Sequence, residues 1–598
     1  MLIDSVHRML FQRVRFFVGA VLVASLMASG SSAAEPYLQD SPVTLAKRPT
    51  ELCLFGKSNR LYVANFGDAS ISAIDTQSNL VVSRLGDIQC ISGLVGDEDL
   101  GVLFISDEWA REVVCVDMND DASSIRWRHA TCGYPRSLRL NGDSRRLAVA
   151  GYWSRQIEIV ESSGKWELES LTSRTISLSF VPGHLCWLSN EQLLVADAFG
   201  GRLAVIDAGD GQVLMEKKLI DRRIGGVAFD VASQTVVFAT QMVNPLGRTD
   251  RNDVHWGLMI ANQLVSFSAI RLVDPNDLLE SSDRQQPFGR TGDGKADPGR
   301  CSISNDAIAT VCLEGVNQIA VGGIRELSFA YVDVGARPIA IVVDSHREIA
   351  YVANWLDDTI SVVNIDTFKT QATISLRPDN SKSPALVGER LFFDARLSHD
   401  RWMSCHSCHV NGHSSELLND NFSDQTHGTP KRILSLLGCR DTAPFAWNGG
   451  QATLESQIES SITATMQSDD QPSPETIAAI AEFVRSLTSP PSVVEARKQT
   501  TETTIVAGQR LFAELNCNKC HAGKEFTSPN LYDVGFQDEA GNRLFNPPHL
   551  HGLGQRQSLF HDGRCSNLES LIDEFRHEMP RDLSASERAA LLSFLRSL

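Results

Sequence analysis

Short apolar runs alternate with Gly, Asp and Asn turns from about residue 50 to residue 376, and few segments there keep a helical period. One pattern recurs: an apolar run ending in a small or polar residue, a turn, and a second apolar run ending near Asp. Its seven copies follow at intervals of 41–46 residues, apart from one step of 73. This period predicts an all-β propeller of about seven blades. The copies centre on Val63, Ile105, Val149, Val195, Phe238, Val311 and Val352.

The longest step between copies predicts an insertion around residues 241–300, in which residues 289–299 are rich in Gly and Asp and are expected to form a polar loop. The first and last copies read Tyr-Val-Ala-Asn, at residues 62–65 and 351–354. They resemble the bacterial YVTN family of β-propellers. We interpret this half as a scaffold or docking module, because a fold does not fix a function. A propeller with its own metal or small-molecule site is the alternative.

The pattern changes after Leu376, where residues 377–384 are expected to form a polar, Pro-containing linker. Beyond this linker, one sequence pattern occurs twice. Residues 388–392 match residues 508–512, and residues 447–456 align without gaps with residues 561–570. Predicted helices at 474–487 and 584–598 close the copies, with a boundary at 488–492. The chain is therefore expected to contain a propeller at 35–376 and all-α domains at 385–490 and 491–598.

Each copy contains one Cys-x-x-Cys-His sequence, at residues 405–409 and 517–521. Two thiols three positions apart reach the two vinyl groups of one porphyrin, and the adjacent imidazole then lies under the iron. A Cys-x-x-Cys sequence alone is also typical of half a zinc site or of a thioredoxin-type redox pair. Zinc would need a matched set of four ligands, and a redox pair does not need the histidine. We therefore predict two covalently bound c-type haems in two cytochrome c-like domains. The predicted attachment residues are Cys405, Cys408, Cys517 and Cys520, with His409 and His521 as proximal iron ligands.

Composition and charge narrow the class of partner and the compartment. The formal charge is −18 and no basic run appears, so nucleic acid is not an expected partner. Arg8, Arg13 and Arg15 precede an apolar run at 16–27 and small residues at 31–34, which predicts an export signal over residues 1–34. A periplasmic or otherwise exported protein follows, because c-type haem is attached outside the bacterial cytoplasm. It would not be an integral membrane protein if the signal is cleaved, whereas an uncleaved anchor is the alternative.

Residues 385–598 resemble the di-haem cytochrome c peroxidase family, which includes the methylamine-utilisation di-haem enzyme. The matching positions are residues 391–398, Trp447, Leu454, Gln457, residues 526–527 and residues 560–564. The resemblance implies that one haem reduces hydrogen peroxide and that the other receives electrons from a small redox donor protein. It also implies a calcium ion between the two haem domains.

The resemblance supplies three catalytic candidates, namely Trp447, Gln457 and Gln467. It places Trp447 between the haems as the electron path. The family has a Glu about twenty residues after this Trp, and gap-free counting puts Gln467 there. An amide can hydrogen-bond peroxide but cannot move a proton between its oxygens, so Gln467 is expected to limit peroxide turnover.

The sixth ligands of the two haem irons stay open at this stage. Met579 and His577 are candidates for the second haem, and Met466 occupies a nearly equivalent place in the first copy. His427 is a candidate distal ligand of the first haem. Arg564 is a candidate partner for a haem propionate. Ordinary packing or a surface ion pair is the competing interpretation for each of these residues.

The expected function is that of an exported di-haem oxidoreductase that reduces hydrogen peroxide. A non-enzymatic electron carrier with six ligands on both irons and a partner-docking propeller is the second hypothesis. A di-haem oxidase of a protein or organic substrate is the third.

Overall fold

The computed structural model describes residues 46–598 except for 86–87, 119–123, 142–144, 327, 378–385, 423–424 and 500–501. The predicted signal peptide and nearly all of the predicted linker lie outside the described residues. Within the described part, no helix is both long enough and apolar enough to span a bilayer.

The first half forms seven four-stranded antiparallel sheets, each built from consecutive strands. The first four blades are β1 (Pro49–Phe55), β2 (Arg60–Asn65), β3 (Ser70–Asp75), β4 (Leu80–Leu85); β5 (Ile91–Asp97), β6 (Val102–Asp107), β7 (Glu112–Asp117), β8 (Ser124–Ala130); β9 (Pro135–Leu140), β10 (Arg146–Gly151), β11 (Gln156–Ser162), β12 (Leu171–Ser177); and β13 (Pro182–Trp187), β14 (Gln192–Asp197), β15 (Arg202–Asp207), β16 (Val213–Lys218).

Three further blades and one hairpin complete this half. They are β17 (Arg222–Asp230), β18 (Thr235–Val243), β19 (Ile260–Ser268), β20 (Arg284–Pro287); the hairpin β21 (Gly289–Arg290) and β22 (Asp293–Gly294); β23 (Pro298–Ile303), β24 (Ile308–Leu313), β25 (Gln318–Gly323), β26 (Ala330–Asp333); and β27 (Pro338–Asp344), β28 (Ile349–Asn354), β29 (Thr359–Asn364), β30 (Lys369–Ser375).

The blades close into a ring through their first strands. Strands β1, β5, β9, β13, β17, β23 and β27 contact one another in that order, and β27 contacts β1. Each predicted repeat centre lies in the second strand of its blade. The prediction of a seven-bladed propeller is confirmed.

The apolar residues of the repeats pack between neighbouring blades. Leu61 and Val63 of β2 share one buried cluster with Tyr351 and Ile360 of the last blade, which joins the two ends of the ring. The polar residue that ends each Tyr-Val-Ala-Asn repeat also has a structural role. The buried side-chain amide of Asn65 donates to Ser72 at 2.9 Å, and the amide of Asn354 donates to Ser361 at the same distance. The repeat asparagines therefore brace the turn between two strands.

Part of the predicted insertion around residues 241–300 belongs to blade five itself. It contains the short helix α1 (Arg251–His255), the third and fourth strands of blade five, and the helix α2 (Ala269–Val273). The predicted polar loop at 289–299 holds the hairpin β21–β22, and its residues Ala296 and Asp297 are completely buried. Burial of this loop follows from its contacts with the second half of the chain.

The second half is mainly helical. Its helices are α3 (Val387–Phe392), α4 (Cys405–Cys408), α5 (Leu454–Ser460), a π-helix at Ser461–Thr465, α6 (Pro474–Ser486), α7 (Val493–Ala496), α8 (Glu502–Glu514), α9 (Leu568–Asp573) and α10 (Ala585–Ser597). Two two-stranded ladders accompany them, β31 (Leu418–Asn419) with β32 (Lys431–Arg432) and β33 (Tyr532–Asp533) with β34 (Leu544–Phe545). Helix α3 packs on α6 and α8 packs on α10, so the predicted duplication appears as two equivalent helix pairs. An all-β propeller followed by helical domains is the predicted fold class, and it is confirmed.

The first helical region lies against one face of the propeller. Arg48, which precedes β1, makes a bidentate ion pair with Glu389 of α3 at 2.7 and 2.6 Å, and both side chains are buried. Trp153 and Phe199 of the propeller share a buried apolar cluster with Phe392 of α3. The last part of the chain reaches the same propeller, since Gln557 donates to the buried Asp197 at 2.7 Å.

Candidate haem centres

The first motif forms the short helix α4, which presents both cysteines to one cavity. Ser404 caps the helix by accepting from the backbone N–H of His406 at 3.1 Å, and Ser407 completes a capping box. One turn of helix brings residues three apart to the same side, so Cys405 and Cys408 both line the cavity. Burial raises the pKa of each thiol to about 12.

The histidine that ends each Cys-x-x-Cys-His motif has its ring fixed by a backbone carbonyl. Nδ1 of His409 lies 2.9 Å from the carbonyl oxygen of Leu434, and Nδ1 of His521 lies 3.0 Å from that of Phe526. Donation from Nδ1 leaves the Nε2 lone pair as the metal-binding atom of each ring. Burial lowers the pKa of both imidazoles to about 4, so each is in the neutral, ligating form at pH 7. The four cysteines and two histidines thus fit two c-type haems.

Two mostly apolar cavities lie over these motifs. The first has a volume of about 210 Å³ and the second about 490 Å³. Phe392 lines the first cavity and Phe512 lines the second, at equivalent places in the duplication. Apolar walls with a histidine at one end suit a porphyrin ring, whose faces exclude water from the iron.

Trp447 lies in the wall between the two cavities and lines both. Its indole N–H donates to the carbonyl oxygen of Arg432 at 2.7 Å, and its ring centre lies 6.4 Å from that of His561. The side chain is 7% exposed, so its orientation is fixed by packing as well as by the hydrogen bond.

Gln457 lines the first cavity, and its amide is only half satisfied. The Nε2 group donates to Ser461 at 3.1 Å, whereas Oε1 is buried and has no hydrogen-bond partner in the described structure. The gap-free alignment of residues 447 and 561 pairs Gln457 with Leu571, which lines the second cavity. The first cavity therefore holds a polar group with an unused acceptor where the second holds an apolar side chain.

The structure separates the candidate sixth ligands. Met466 lines the first cavity, and His577 and Met579 line the second. His427 does not line the first cavity; it is exposed, with its ring centre 4.7 Å from that of Phe422. The predicted distal role of His427 is not supported by this placement, because its loop directs the ring to solvent.

Gln467 also lies outside the first cavity. Its Nε2 group donates to the carbonyl oxygens of Thr249 in the propeller, at 2.8 Å, and of Ala464, at 2.7 Å. Its backbone is left-handed, with φ of 52°, so the chain turns away from the cavity directly after Met466. Gln457, and not Gln467, is therefore the glutamine that lines the first cavity, and the role of Gln467 in peroxide turnover stays a prediction.

Arg564 likewise lines neither cavity among the described contacts. It forms an ion pair with Asp562 and lies over the ring of Phe536 at 4.9 Å. Two other arginines, Arg432 and Arg556, line both cavities. Burial lowers the pKa of Arg432, and it lowers that of Arg556 to about 9, which marks both as cations that an anionic group would stabilise. These two arginines fit haem propionates better than Arg564 does, and no sequence pattern singled them out.

A buried carboxylate of the propeller accepts hydrogen bonds from the helix that carries the first motif. Asp297 is completely buried and accepts hydrogen bonds from the hydroxyls of Ser404 at 2.5 Å and Ser407 at 2.6 Å. The guanidinium of Arg223 lies 3.7 Å from the same carboxylate. The sequence showed Asp297 only as one polar residue of a Gly- and Asp-rich loop, so its role could not be recognised there.

Among the described residues, no group of three clustered carboxylates marks a site for the predicted calcium ion. In the part of the chain that the structure describes, one group of three His, Cys, Asp or Glu side chains brings its potential ligand atoms within 4.8 Å of one another, and that group contains two histidines. Calcium therefore remains an expectation from the resemblance.

Comparisons with known proteins agree with this arrangement. Residues 382–488 match the family model described as di-haem cytochrome c peroxidase. The methylamine utilization protein MauG of Methylorubrum extorquens is 27% identical over 36% of this chain and 77% of its own length. Cytochrome c551 peroxidase of Nitrosomonas europaea is 22% identical over 38% of this chain and 82% of its own length.

One solved structure, a chain of Kuenenia stuttgartiensis hydrazine synthase, matches with 12% identity over 55% of this chain and 99% of that chain. Its TM-score of 0.46 is too low to support an argument about fold or function. The di-haem cytochrome c peroxidase family that residues 382–488 match implies two c-type haems. The helical half of this chain thus carries a domain of the di-haem cytochrome c peroxidase family, and a seven-bladed β-propeller precedes it.

Proposed function

We propose that this protein is an exported di-haem oxidoreductase that reduces hydrogen peroxide at the first cavity with electrons received through the second. When bound, the haem of the first cavity would supply a redox-active iron on which peroxide accepts electrons. The residues of the chain then have to hold peroxide, exclude bulk water and connect the two cavities.

The buried, unpartnered Oε1 of Gln457 is the observation that carries this proposal. A buried acceptor without a partner costs about 1–3 kcal/mol, and a ligand O–H that donates to it recovers that cost. Gln457 is also held by Ser461, so the amide is oriented before a ligand enters. The second cavity has the apolar Leu571 at the equivalent place, so that position offers no hydrogen-bond acceptor. Peroxide binding is therefore assigned to the first cavity.

The same geometry supports an electron path from the second cavity to the first. Trp447 lines both cavities, so its indole bridges the space between two porphyrins held in separate domains. Met579 lines the second cavity, and a Met ligand raises the potential of a haem, which suits electron entry. We assign electron entry to the second domain and peroxide reduction to the first.

A small redox protein is the proposed electron donor, and the periplasm is the proposed compartment. One relative is named a cytochrome c551 peroxidase, which supports a small c-type cytochrome as the donor class. The formal charge of −18 favours a donor with a basic surface. Export rests on the predicted signal at residues 1–34 and on the requirement of c-type haem attachment.

Peroxide turnover in a Gln457→Leu variant tests the proposal, because this change copies the second cavity into the first. We expect turnover to fall by about 10²-fold, the usual cost of removing one hydrogen-bonding group from a reacting oxygen, with haem content unchanged. Gln451→Leu is the matched control, since Gln451 lines neither cavity. Equal turnover in Gln457→Leu and the unmodified protein would contradict the assignment of Gln457.

Electron transfer without peroxide chemistry is the second candidate, and the placement of Met466 favours it. Met466 lines the first cavity, so in an electron carrier its thioether would supply the sixth ligand to a haem bound there. In a carrier of this kind, Met466→Leu would convert a low-spin haem into a high-spin one. Under the peroxidase proposal, the spin state of the first haem does not depend on Met466.

A further inference from the structure

A histidine-rich group of side chains joins the propeller to the first haem domain, and none of its members lines either haem cavity. His255, the last residue of α1, faces His399 and Asp400 of the haem domain. One potential ligand atom from each of the three residues lies within 4.8 Å of the other two. We call these three residues the His–Asp cluster.

The contacts within the His–Asp cluster converge on one carboxylate. Nδ1 of His255 lies 2.6 Å from Oδ2 of Asp400, and Nε2 of His399 lies 3.2 Å from the same oxygen. The two imidazole rings are stacked with centres 5.8 Å apart. Two imidazole nitrogens therefore converge on one carboxylate oxygen, and the three potential ligand atoms lie within 4.8 Å of one another.

A fourth residue fixes the orientation of His399, the more buried of the two histidines in the cluster. Nδ1 of His399 lies 2.9 Å from Oδ1 of Asp469, which leaves Nε2 directed at the cluster. A carboxylate on the far nitrogen of a histidine is the usual outer support of a metal-binding imidazole. His399 is 8% exposed, so this orientation is maintained by burial as well.

The nearby cations do not oppose a bound metal ion. Arg251 is paired with Asp469 and Arg401 is paired with Asp293, so each guanidinium is already compensated. Asp400 itself has a left-handed backbone, with φ of 53° and ψ of 18°, a conformation that Asp tolerates better than most residues. The backbone thus holds the carboxylate between the two histidines.

We propose that the His–Asp cluster binds a divalent transition-metal ion of the zinc class. Two nitrogen ligands and one oxygen ligand suit Zn²⁺, whereas Ca²⁺ and Mg²⁺ prefer oxygen ligands alone. The side chain of His255 is 42% exposed, so solvent can supply a fourth ligand to a tetrahedral ion. This site is independent of the proposed peroxide chemistry.

A metal ion here would hold the two halves of the chain together. His255 belongs to the propeller, while His399 and Asp400 belong to the haem domain. The backbone N–H of His399 also donates to the carbonyl oxygen of Met466 at 2.9 Å. The ion would therefore fix the segment that carries Met466 into the wall of the first haem cavity.

Zinc binding to the full-length, haem-loaded protein tests the proposal. Chelator-treated protein is dialysed against buffered ZnCl₂, and zinc is measured by mass spectrometry against haem iron. We expect one zinc ion for every two iron atoms, with affinity at least tenfold weaker in His255→Ala and Asp400→Ala. Asp469→Asn should weaken zinc binding by about 10-fold, as expected for loss of an outer hydrogen bond to a ligand.

His346→Ala is the matched control, because His346 is an exposed propeller histidine outside the cluster. It should bind zinc as tightly as the unmodified protein does. His255 lies at the surface, so its replacement should leave the haem spectrum intact and the result interpretable. The proposal is overturned if no stoichiometric zinc is retained, or if zinc binds with equal affinity to His255→Ala and Asp400→Ala.

Discussion

The two haem cavities differ at single residues although they come from one duplicated plan. Gln457 and Leu571 occupy aligned positions, yet only Gln457 brings a polar atom to its cavity. No Asp or Glu of the described structure lines the first cavity, so the amide of Gln457 has no adjacent carboxylate to move a proton. The polar Gln457 in one cavity and the apolar Leu571 in the other therefore give the two cavities distinct chemistry.

Replacing Trp447 by Phe should slow electron transfer between the haems and leave both haems attached. The smaller ring no longer spans the wall that the two cavities share, and the hydrogen bond to the carbonyl oxygen of Arg432 is lost. That hydrogen bond contributes about 1 kcal/mol to stability, so the protein should still fold. Flash reduction of the second haem followed by optical spectroscopy measures the rate, and an unchanged rate would exclude Trp447 from the electron path.

Some site residues can be predicted from the sequence because their chemistry is local. The spacing of the motif predicts Cys405, Cys408 and His409 as haem-binding residues, and the structure brings all three to one cavity. Gln467 could not be placed by counting, because the π-helix Ser461–Thr465 adds a residue to one turn and changes the facing of those that follow. Distal side chains depend on such backbone irregularities, which a gap-free alignment cannot show.

Among the secondary-structure elements, helix α4 depends on the propeller for its support. Ser404 and Ser407 cap the helix, and their hydroxyls also donate to Asp297, so one buried carboxylate holds the whole attachment turn. Helices of four residues are not stable alone. The position of the first haem therefore depends on a residue that precedes the motif by more than a hundred positions in the sequence.

Replacement of Asp297 by Asn should destabilise the protein by about 2 kcal/mol, because a hydrogen bond to a charged acceptor is replaced by a weaker one. Arg223 would also lose its nearby negative charge. Denaturant unfolding monitored by circular dichroism measures the change. Asp293→Asn is the control on the same loop, since the Asp293 side chain is 26% exposed and solvent screens its ion pairs, which contribute about 1 kcal/mol or less. Equal effects of the two substitutions would argue against a special role for Asp297.

Each haem should depend on its own attachment turn. Replacing both Cys517 and Cys520 by Ala should halve the covalently bound haem per chain, because the first cavity has a complete set of attachment residues. Haem staining of the denatured protein, calibrated by iron content, makes this measurement. Full retention of covalent haem would show that the second motif is not an attachment site.

At the scale of the whole molecule, the propeller and the helical half form a common buried surface. The sequence predicts the propeller because its repeats recur, and it predicts the helical duplication because matched segments recur. It does not predict their docking, which depends on isolated residues such as Arg48 and Glu389, 341 positions apart. Contacts of this kind have no local pattern to recognise.

A fragment ending at Leu376 should be rich in β-structure and colourless, because the apolar clusters between blades form entirely within the propeller. It should also self-associate, since removal of the helical half exposes Trp153 and Phe199. Circular dichroism and light scattering of the fragment, compared with the full-length chain, test both expectations. An unfolded fragment would mean that the propeller core requires the helical half.

The spin states of the two haems test the central claim most directly. Electron paramagnetic resonance spectra are recorded on the full-length protein in the oxidised and half-reduced states. Peroxide reduction at the first cavity predicts that the half-reduced protein contains one high-spin ferric haem with an open iron position, while the other haem is reduced. Low-spin haem alone in both states, with a high-spin signal appearing only in Met466→Leu, would contradict this account and identify an electron carrier.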